Sequence, residues 1–193
     1  MSPFRHGSAA GAHVVALVAA HNRRELTMRA LDRFFGSAHT AGLQCSAIVF
    51  DDGSSDGTGP SIQRAFGDQV ELIQGDGSAF WASSMAAAED HALRYYRTAS
   101  HLLWLNDDVK PDEDFLARLM GWSSEAPTRV IVGSTREPST DEVSYGGLRR
   151  SGAHPLSFAI VSPSSHLIPV EAMNGNIVLV PRAAALQLGG IDG

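Results

Sequence analysis

The sequence predicts an α/β fold built on a mostly parallel sheet flanked by helices, and three observations carry that expectation. Short apolar, β-rich runs recur at 13–19, 45–50, 69–74 and 101–106. Amphipathic helical spacing fills the intervals between them. The run Leu102-Leu103-Trp104-Leu105 contains no charged or amide residue, the pattern of a strand buried on both faces. Strand and helix alternating at this rhythm imply parallel strands joined by right-handed crossovers.

Taken in order, residues 1–12 are small, polar and glycine-containing and read as a disordered lead. His13 to Ala19 is the first strand, closed by Ala20-His21-Asn22-Arg23-Arg24. From Glu25 to Ala41, Leu26, Ala30, Leu31 and Phe34 fall at helical spacing, and Gly42 suits the position just past a helix C-terminus. Cys45 to Phe50 is the second strand; the polar run Asp51 to Thr58 follows at once. The next helix is expected to start near Pro60, given proline's first-turn preference. Gln69 to Gln74 alternates as a third strand, Gly75 to Ser78 is a turn, and Phe80 to Thr98 carries a long helix. His101 to Asn106 is the fourth strand.

Asp112 to Trp122 then reads as a helix capped by Asp112, and Arg129 to Gly133 as a strand. Periodicity fails from Ser134 to Pro169, so the chain divides into an α/β half at 13–133 and a loop-rich region of the same domain at 134–193. Within that region Asn174 to Val180 restores a strand and Pro181 to Leu188 a short helix.

Composition narrows the function classes. A formal net charge of −6 argues against nucleic acid as a partner, since such binders carry a basic footprint. An acidic protein can still hold a nucleotide when a bound metal bridges carboxylate and phosphate. The single cysteine, Cys45, cannot form an internal disulfide and reads as a small buried hydrophobe. No membrane-spanning run or apolar leader is visible, so the expected location is the cytoplasm, with peripheral association at the inner face of a membrane left open. Oligomeric state does not follow from the sequence.

Ligands of open α/β sheets bind outside the carboxyl ends of the strands. Three such loops carry polar chemistry: His21-Asn22-Arg23-Arg24, Asp51 to Asp56, and Asn106-Asp107-Asp108. Clustered oxygen ligands at a strand end suit Mg²⁺ or Mn²⁺, particularly an ion shared with a phosphorylated substrate. Asp51 and Asp52 offer acceptors to a nucleobase imide or to ribose hydroxyls. One of Arg23 and Arg24 is expected in solvent and the other toward the crevice, where a guanidinium grips phosphate. Trp81, beside the glycine turn, reads as a core aromatic.

Other chemistries fail on spacing. Asp52, Ser54, Asp56 and Gly57 imitate half of an EF-hand loop, but Gln63 stands where the bidentate Glu is required. Gly75-Asp76-Gly77 lacks the third glycine of a dinucleotide fingerprint, and no P-loop or H-E-x-x-H sequence occurs.

Four stretches together resemble the family 2 glycosyltransferases of the GT-A fold, especially the bacterial branch of rhamnosyl- and galactofuranosyl-transferase-like enzymes. They are Val18 to Arg23, Val49 to Thr58, Leu105 to Val109 and Asn174 to Arg182. The resemblance implies a Rossmann-like, mostly parallel GT-A sheet with an acceptor-side region rich in loops. A nucleotide-sugar donor would lie across the strand ends, bound by Ala20, His21, Asn22, Arg24, Asp51, Asp52, Asn106 and Asp107. Asn106-Asp107-Asp108 looks like the family's D-x-D motif, which gives Asp108 the metal role and puts Asp107 nearer the ribose or sugar; Asn106 replaces the motif's first aspartate. Asn174, Gly175 and Asn176 look like the segment beside donor sugar and acceptor.

The activity so implied is metal-assisted, inverting transfer of a hexosyl or deoxyhexosyl group to a carbohydrate or lipid-linked acceptor, in cell-surface polysaccharide synthesis. In the resembled family the general base follows the segment equivalent to Leu188 to Asp192, so it is expected beyond Gly193 and no residue here is assigned to it. Two alternatives are a non-catalytic or incomplete nucleotide-sugar-binding domain and a nucleotidyltransferase. The latter class resembles a pattern with glycine in the first loop, and Ala19 to Arg24 contains none.

Overall fold

The computed structural model describes residues 11–191, so the expected lead lies, but for Gly11 and Ala12, outside the described residues, as do Asp192 and Gly193. Four strands, β1 (His13–Ala20), β2 (Gln44–Asp51), β3 (Val70–Gln74) and β4 (His101–Leu105), run parallel. Helices α1 (Arg24–Thr40), α2 (Thr58–Phe66) and α3 (Phe80–Tyr95) form their crossovers. Helix α4 (Phe115–Glu125) leads to a two-residue strand, β5 (Ile131–Val132).

The region expected to be loop-rich holds two small antiparallel sheets. One pairs β6 (Thr135–Arg136) with β7 (Val143–Tyr145). The other sets β8 (Gly147–Arg150) between β9 (Phe158–Ile160) and β10 (Ala172–Met173). The chain then returns to the main sheet through β11 (Ile177–Pro181) and closes with α5 (Arg182–Leu188). The main sheet has six strands in the order β3-β2-β1-β4-β11-β5.

Side chains alternate across each strand, and both faces are covered, which is why the strands read as continuous apolar runs. Val14, Ala16 and Val18 of β1, with Leu103 and Leu105 of β4, pack under α1, α2 and α4 against Leu31, Phe34, Ile62 and Leu116. Val15, Leu17, Ile48 and Leu102 face the other way, onto Met85, Ala88 and Ala92 of α3 and Ala185 of α5.

Two features of the topology decide where a ligand can sit. The chain builds outward from β1 through β2 to β3, then crosses back to place β4 on the other side of β1. The crevice between the carboxyl ends of β1 and β4 is therefore the topological switch point, the preferred binding place in such sheets. Strand β11 runs antiparallel to β4, with Ile177 opposite Leu105, so its beginning lies at the same edge as the ends of the parallel strands. Asn174-Gly175-Asn176 is brought to the switch point by that reversal.

Some boundaries differ from the sequence reading. The helix expected from Asp112 begins at Phe115, because the Asp112 carbonyl accepts the Phe115 N–H in a preceding turn at 3.3 Å and Asp114 makes no side-chain cap bond. The helix expected to reach Thr98 ends at Tyr95, where Tyr96 turns out of the helical region. Cys45 is half-buried rather than buried, at the edge of the core.

An ionisable group sits under the sheet, away from its polar edge. Glu89 on α3 is buried under the sheet, and its Oε2 accepts the Trp104 indole N–H at 3.0 Å. Burial pushes its carboxyl above the usual range, with the indole bond pulling weakly the other way. A raised folded-state pKa means that the native protein holds the proton longer than the unfolded chain does, so stability falls as pH rises through the window above 4.5. Glu89→Gln keeps an acceptor for Trp104 and removes the charge. Urea unfolding at pH 4 and pH 8 should show the variant gaining on the wild type at the higher pH; equal differences at both would contradict this.

Candidate active site

The polar edge is assembled from the loop after β2 outward. Asp51 and Asp52 end that strand, and both are buried. Asp52 accepts the Gly77 N–H on Oδ1 at 2.9 Å and the Ala79 and Phe80 N–H groups on Oδ2 at 3.0 Å each. It thus caps the start of α3 from outside the helix. Asp56 does the same twice: Oδ2 accepts the Arg24 N–H at the start of α1, and Oδ1 accepts the Thr58 N–H and hydroxyl at the start of α2. Helix N-termini leave N–H groups unpaired and attract negative charge, and here two aspartates of one loop serve three helices. The Thr58 hydroxyl bond, followed by the Arg24 N–H, holds the Asp56 carboxyl below its ordinary range. Asp51 Oδ1 accepts the Ser54 N–H at 3.1 Å, closing the loop's first turn.

Close approach fixes two glycines in this neighbourhood. A Cβ on Gly53, whose φ is +70°, would come within 2.8 Å of the Gly77 nitrogen. One on Gly75 would fall 2.6 Å from both the Asp52 Oδ1 and the Phe50 ring. The β2 and β3 loops touch through their backbones.

The first loop is fastened to the second. His21 donates from Nδ1 to the Asp52 carbonyl at 2.5 Å, leaving Nε2 to accept from the Asn22 amide at 3.0 Å. Asn22 adopts a left-handed backbone (φ 51°), which asparagine tolerates well. Its N–H reaches the Ser54 Oγ, and its Oδ1 accepts the Ser55 N–H at 2.8 Å. Ala20 is buried, and its carbonyl accepts the Asp52 N–H.

Across the switch point lie the acidic residues that follow β4. Asp107 is buried; Asp108 is half-exposed. A single nitrogen, Arg23 Nη1, stands 3.2 Å from Asp107 Oδ1 and 2.9 Å from Asp108 Oδ2. Burial drives the Asp107 carboxyl up to about 6 against the pull of Arg23, with Asp108 adding to the rise. Two carboxyl groups thus face one guanidinium. Among the described residues no group of three His, Cys, Asp or Glu side chains converges on a metal position. Two carboxyl groups do converge on one point, and one or two is the number that a Mg²⁺ ion shared with a phosphate takes from a protein. The residues present fit such an ion.

Asn106 links both halves of the site. Its Oδ1 accepts the Trp81 indole N–H at 2.8 Å, its Nδ2 donates to the Asn176 Oδ1 at 3.2 Å, and its backbone N–H donates to the Asn176 carbonyl. Trp81 is not the core aromatic expected: it is 40% exposed, and its ring lies so close to Gly175 that a Cβ there would sit 2.6 Å from the indole. Asn174 exchanges bonds with Gly146, its N–H donating to the Gly146 carbonyl. Next to Trp81, Phe80 is 80% exposed with φ at +54°, a strained position for a bulky residue that the Asp52 bonds hold in place.

The structure thus gathers His21, Asn22, Asp51, Asp52, Asn106, Asp107, Asp108, Asn174, Gly175 and Asn176 around one edge. Of the two arginines it is Arg23 that turns to the crevice; the Arg24 Nη1 donates to the Asp56 carbonyl at 3.3 Å. Three contributors went unassigned in the sequence: Arg23, Trp81 and Asp56. Arg23 flanks the helix and Arg24 opens it, a distinction that sequence spacing blurs by one residue.

A family model, Glycosyl transferase family 2, matches residues 16–177. The chain belongs to that family. Among solved structures, the mannosyltransferase PcManGT from Pyrobaculum calidifontis in complex with GDP-Man and Mn²⁺ is similar over 92% of this chain and 46% of its own, at 17% identity and a TM-score of 0.60. TarS of S. aureus, residues 1–349 in complex with UDP-GlcNAc, is similar over 92% of this chain and 47% of its own, at 12% identity and a TM-score of 0.61. A 4-diphosphocytidyl-2C-methyl-D-erythritol synthase from Anaerococcus prevotii matches over 93% of this chain and 76% of its own, at 8% identity and a TM-score of 0.54. At such identities these likenesses establish the GT-A-type α/β fold alone. The chain spans about half the length of the first two structures. A comparison with curated proteins finds no match.

Two expectations follow for this family 2 domain. Asp52→Asn puts an amide where three backbone N–H groups need acceptors, and about 1–3 kcal/mol of stability should be lost in urea unfolding; an unchanged midpoint would contradict the capping role. Gly175→Ala should displace the indole of Trp81 from Asn106. In a ¹H–¹⁵N spectrum the Trp81 indole signal should move while that of Trp104, held by Glu89, stays; a stationary Trp81 signal would contradict the contact.

Proposed function

We propose that this chain carries the donor-binding part of a glycosyltransferase that moves a sugar from a nucleoside diphosphate to an acceptor hydroxyl. The observation that supports this reading above the others is the convergence of Asp107 and Asp108 on one cationic nitrogen at the topological switch point. Family membership and the ligands of the neighbours, GDP-Man with Mn²⁺ in one and UDP-GlcNAc in the other, agree with it.

In this reading His21 and Asn22 line the side of the crevice where base and ribose lie, over a floor formed by Asp51 and Asp52, and Arg24, expected there from the sequence, is held on the Asp56 carbonyl instead. Asp52, with its carboxylate engaged by three N–H groups, shapes that floor. Asp108, half-exposed, would hold a Mg²⁺ or Mn²⁺ ion, and Asp107 would lie nearer the ribose or sugar. The ion supplies charge neutralisation for the departing diphosphate. Asn174, Gly175 and Asn176 border the acceptor side, where a hydroxyl attacks the anomeric carbon with inversion after losing its proton to a carboxylate. None of the described residues is assigned as that base. A hexosyl or deoxyhexosyl donor of the rhamnosyl or galactofuranosyl type, a carbohydrate or lipid-linked acceptor, a role in cell-surface polysaccharide synthesis and a cytoplasmic site of action, free or peripheral to the membrane, complete the proposal. No helix among the described residues is long and apolar enough to cross a membrane.

Calorimetry with Mn²⁺ and UDP, dTDP and GDP sugars tests the reading, and an absence of binding to every member of the panel would sink it. Asp108→Ala should abolish metal-dependent nucleotide binding while changing stability by no more than about 0.5 kcal/mol, as befits a half-exposed residue. Unchanged metal dependence in that variant would remove Asp108 from the metal role.

A further inference from the structure

We infer that Arg23 is a resident counter-ion of the Asp107 and Asp108 pair, one that opposes loading of a divalent cation alone and hands the pair over when cation and nucleoside diphosphate arrive together. The inference rests on the donor-site reading above and assigns a function to a residue that reading leaves out.

The geometry is specific. One nitrogen of Arg23 sits where the two carboxylates converge, 3.2 and 2.9 Å from their oxygens, so the guanidinium and a divalent ion claim the same point. A cation entering alone must break two charge-assisted hydrogen bonds. It would also leave a guanidinium beside a doubly charged ion in a crevice where Asp107 is buried. A diphosphate removes that penalty, because its oxygens offer the guanidinium new bidentate partners while bridging to the ion.

Nothing in the packing prevents the exchange. Arg23 is the residue flanking α1, with a backbone outside the helical region (φ −132°, ψ 40°), and its side chain is half-exposed. Its backbone carbonyl is fixed, accepting both the Thr27 N–H and the Thr27 hydroxyl at 2.9 Å. The root of the side chain is therefore anchored, while its head meets solvent as well as the two carboxyl groups. The neighbouring Arg24, held to the Asp56 carbonyl, is not placed to take over the pair.

Linkage turns this into a measurable coupling: if the diphosphate relieves the competition, it raises cation affinity, and the cation raises diphosphate affinity by the same factor. Free Mn²⁺ is followed by electron paramagnetic resonance in titrations of the wild type, Arg23→Gln and Asp108→Ala, first with Mn²⁺ alone and then with UDP or GDP present. Arg23→Gln should bind Mn²⁺ alone about tenfold more tightly than the wild type, and the enhancement by nucleotide should shrink by a comparable factor. Equal or weaker binding of Mn²⁺ alone in Arg23→Gln, with binding still abolished in Asp108→Ala, would overturn the counter-ion role and leave the donor site standing. Absence of Mn²⁺ binding in all three proteins, with and without nucleotide, would overturn both.

Discussion

The arrangement that the rest of the site depends on is the capping of three helices by two aspartates of one loop. Asp52 takes the N–H groups that open α3, and Asp56 those that open α1 and α2. In a parallel sheet every crossover helix begins at the edge where the strands end, so unpaired N–H groups accumulate there. A loop dense in carboxylate meets that need at the place where a phosphorylated ligand would otherwise be drawn indiscriminately. With these N–H groups engaged, the charges that face one another across the crevice are Arg23, Asp107 and Asp108.

That division explains the amide at Asn106. A carboxylate there could accept the Trp81 indole but could not donate to Asn176, and it would add a third negative charge beside a buried Asp107 whose carboxyl is already driven up to about 6. Asparagine does both jobs without charge. The amide at Asn106 thus fits the contacts on either side, and the two acidic residues after it are the two that reach the Arg23 guanidinium.

Much of the architecture was legible in the sequence because hydrophobic periodicity reports burial. The first four strands and the three crossover helices emerged within a few residues of their bounds. Direction is a different matter: the apolar run of β11 looks the same whether it pairs parallel or antiparallel, and only the register with β4 reveals that its start belongs at the polar edge. The site residues were legible as strand-end polar clusters, yet their assignments to one another were not. Asp52 reads as a ligand contact from its position and is occupied by backbone N–H groups twenty-five or more residues away. Trp81 reads as core because most tryptophans are, and its exposure comes from a joint with Asn106 and Gly175 that no local pattern encodes.

The antiparallel return of β11 also ties the two halves of the domain mechanically. Asn106 precedes the acidic pair by one residue, and its side chain and backbone are both bonded to Asn176. Asn174 in turn is bonded to Gly146, at the junction of the small sheets. The 134–173 region is therefore linked through 174–176 to Asn106, the residue before Asp107 and Asp108, with Trp81 as the third support. Gly175 is the tightest point of this path, since any side chain there meets the indole ring. The acidic pair thus lies between Arg23, which its side chains bond, and the Asn106 joint, which it follows in the chain.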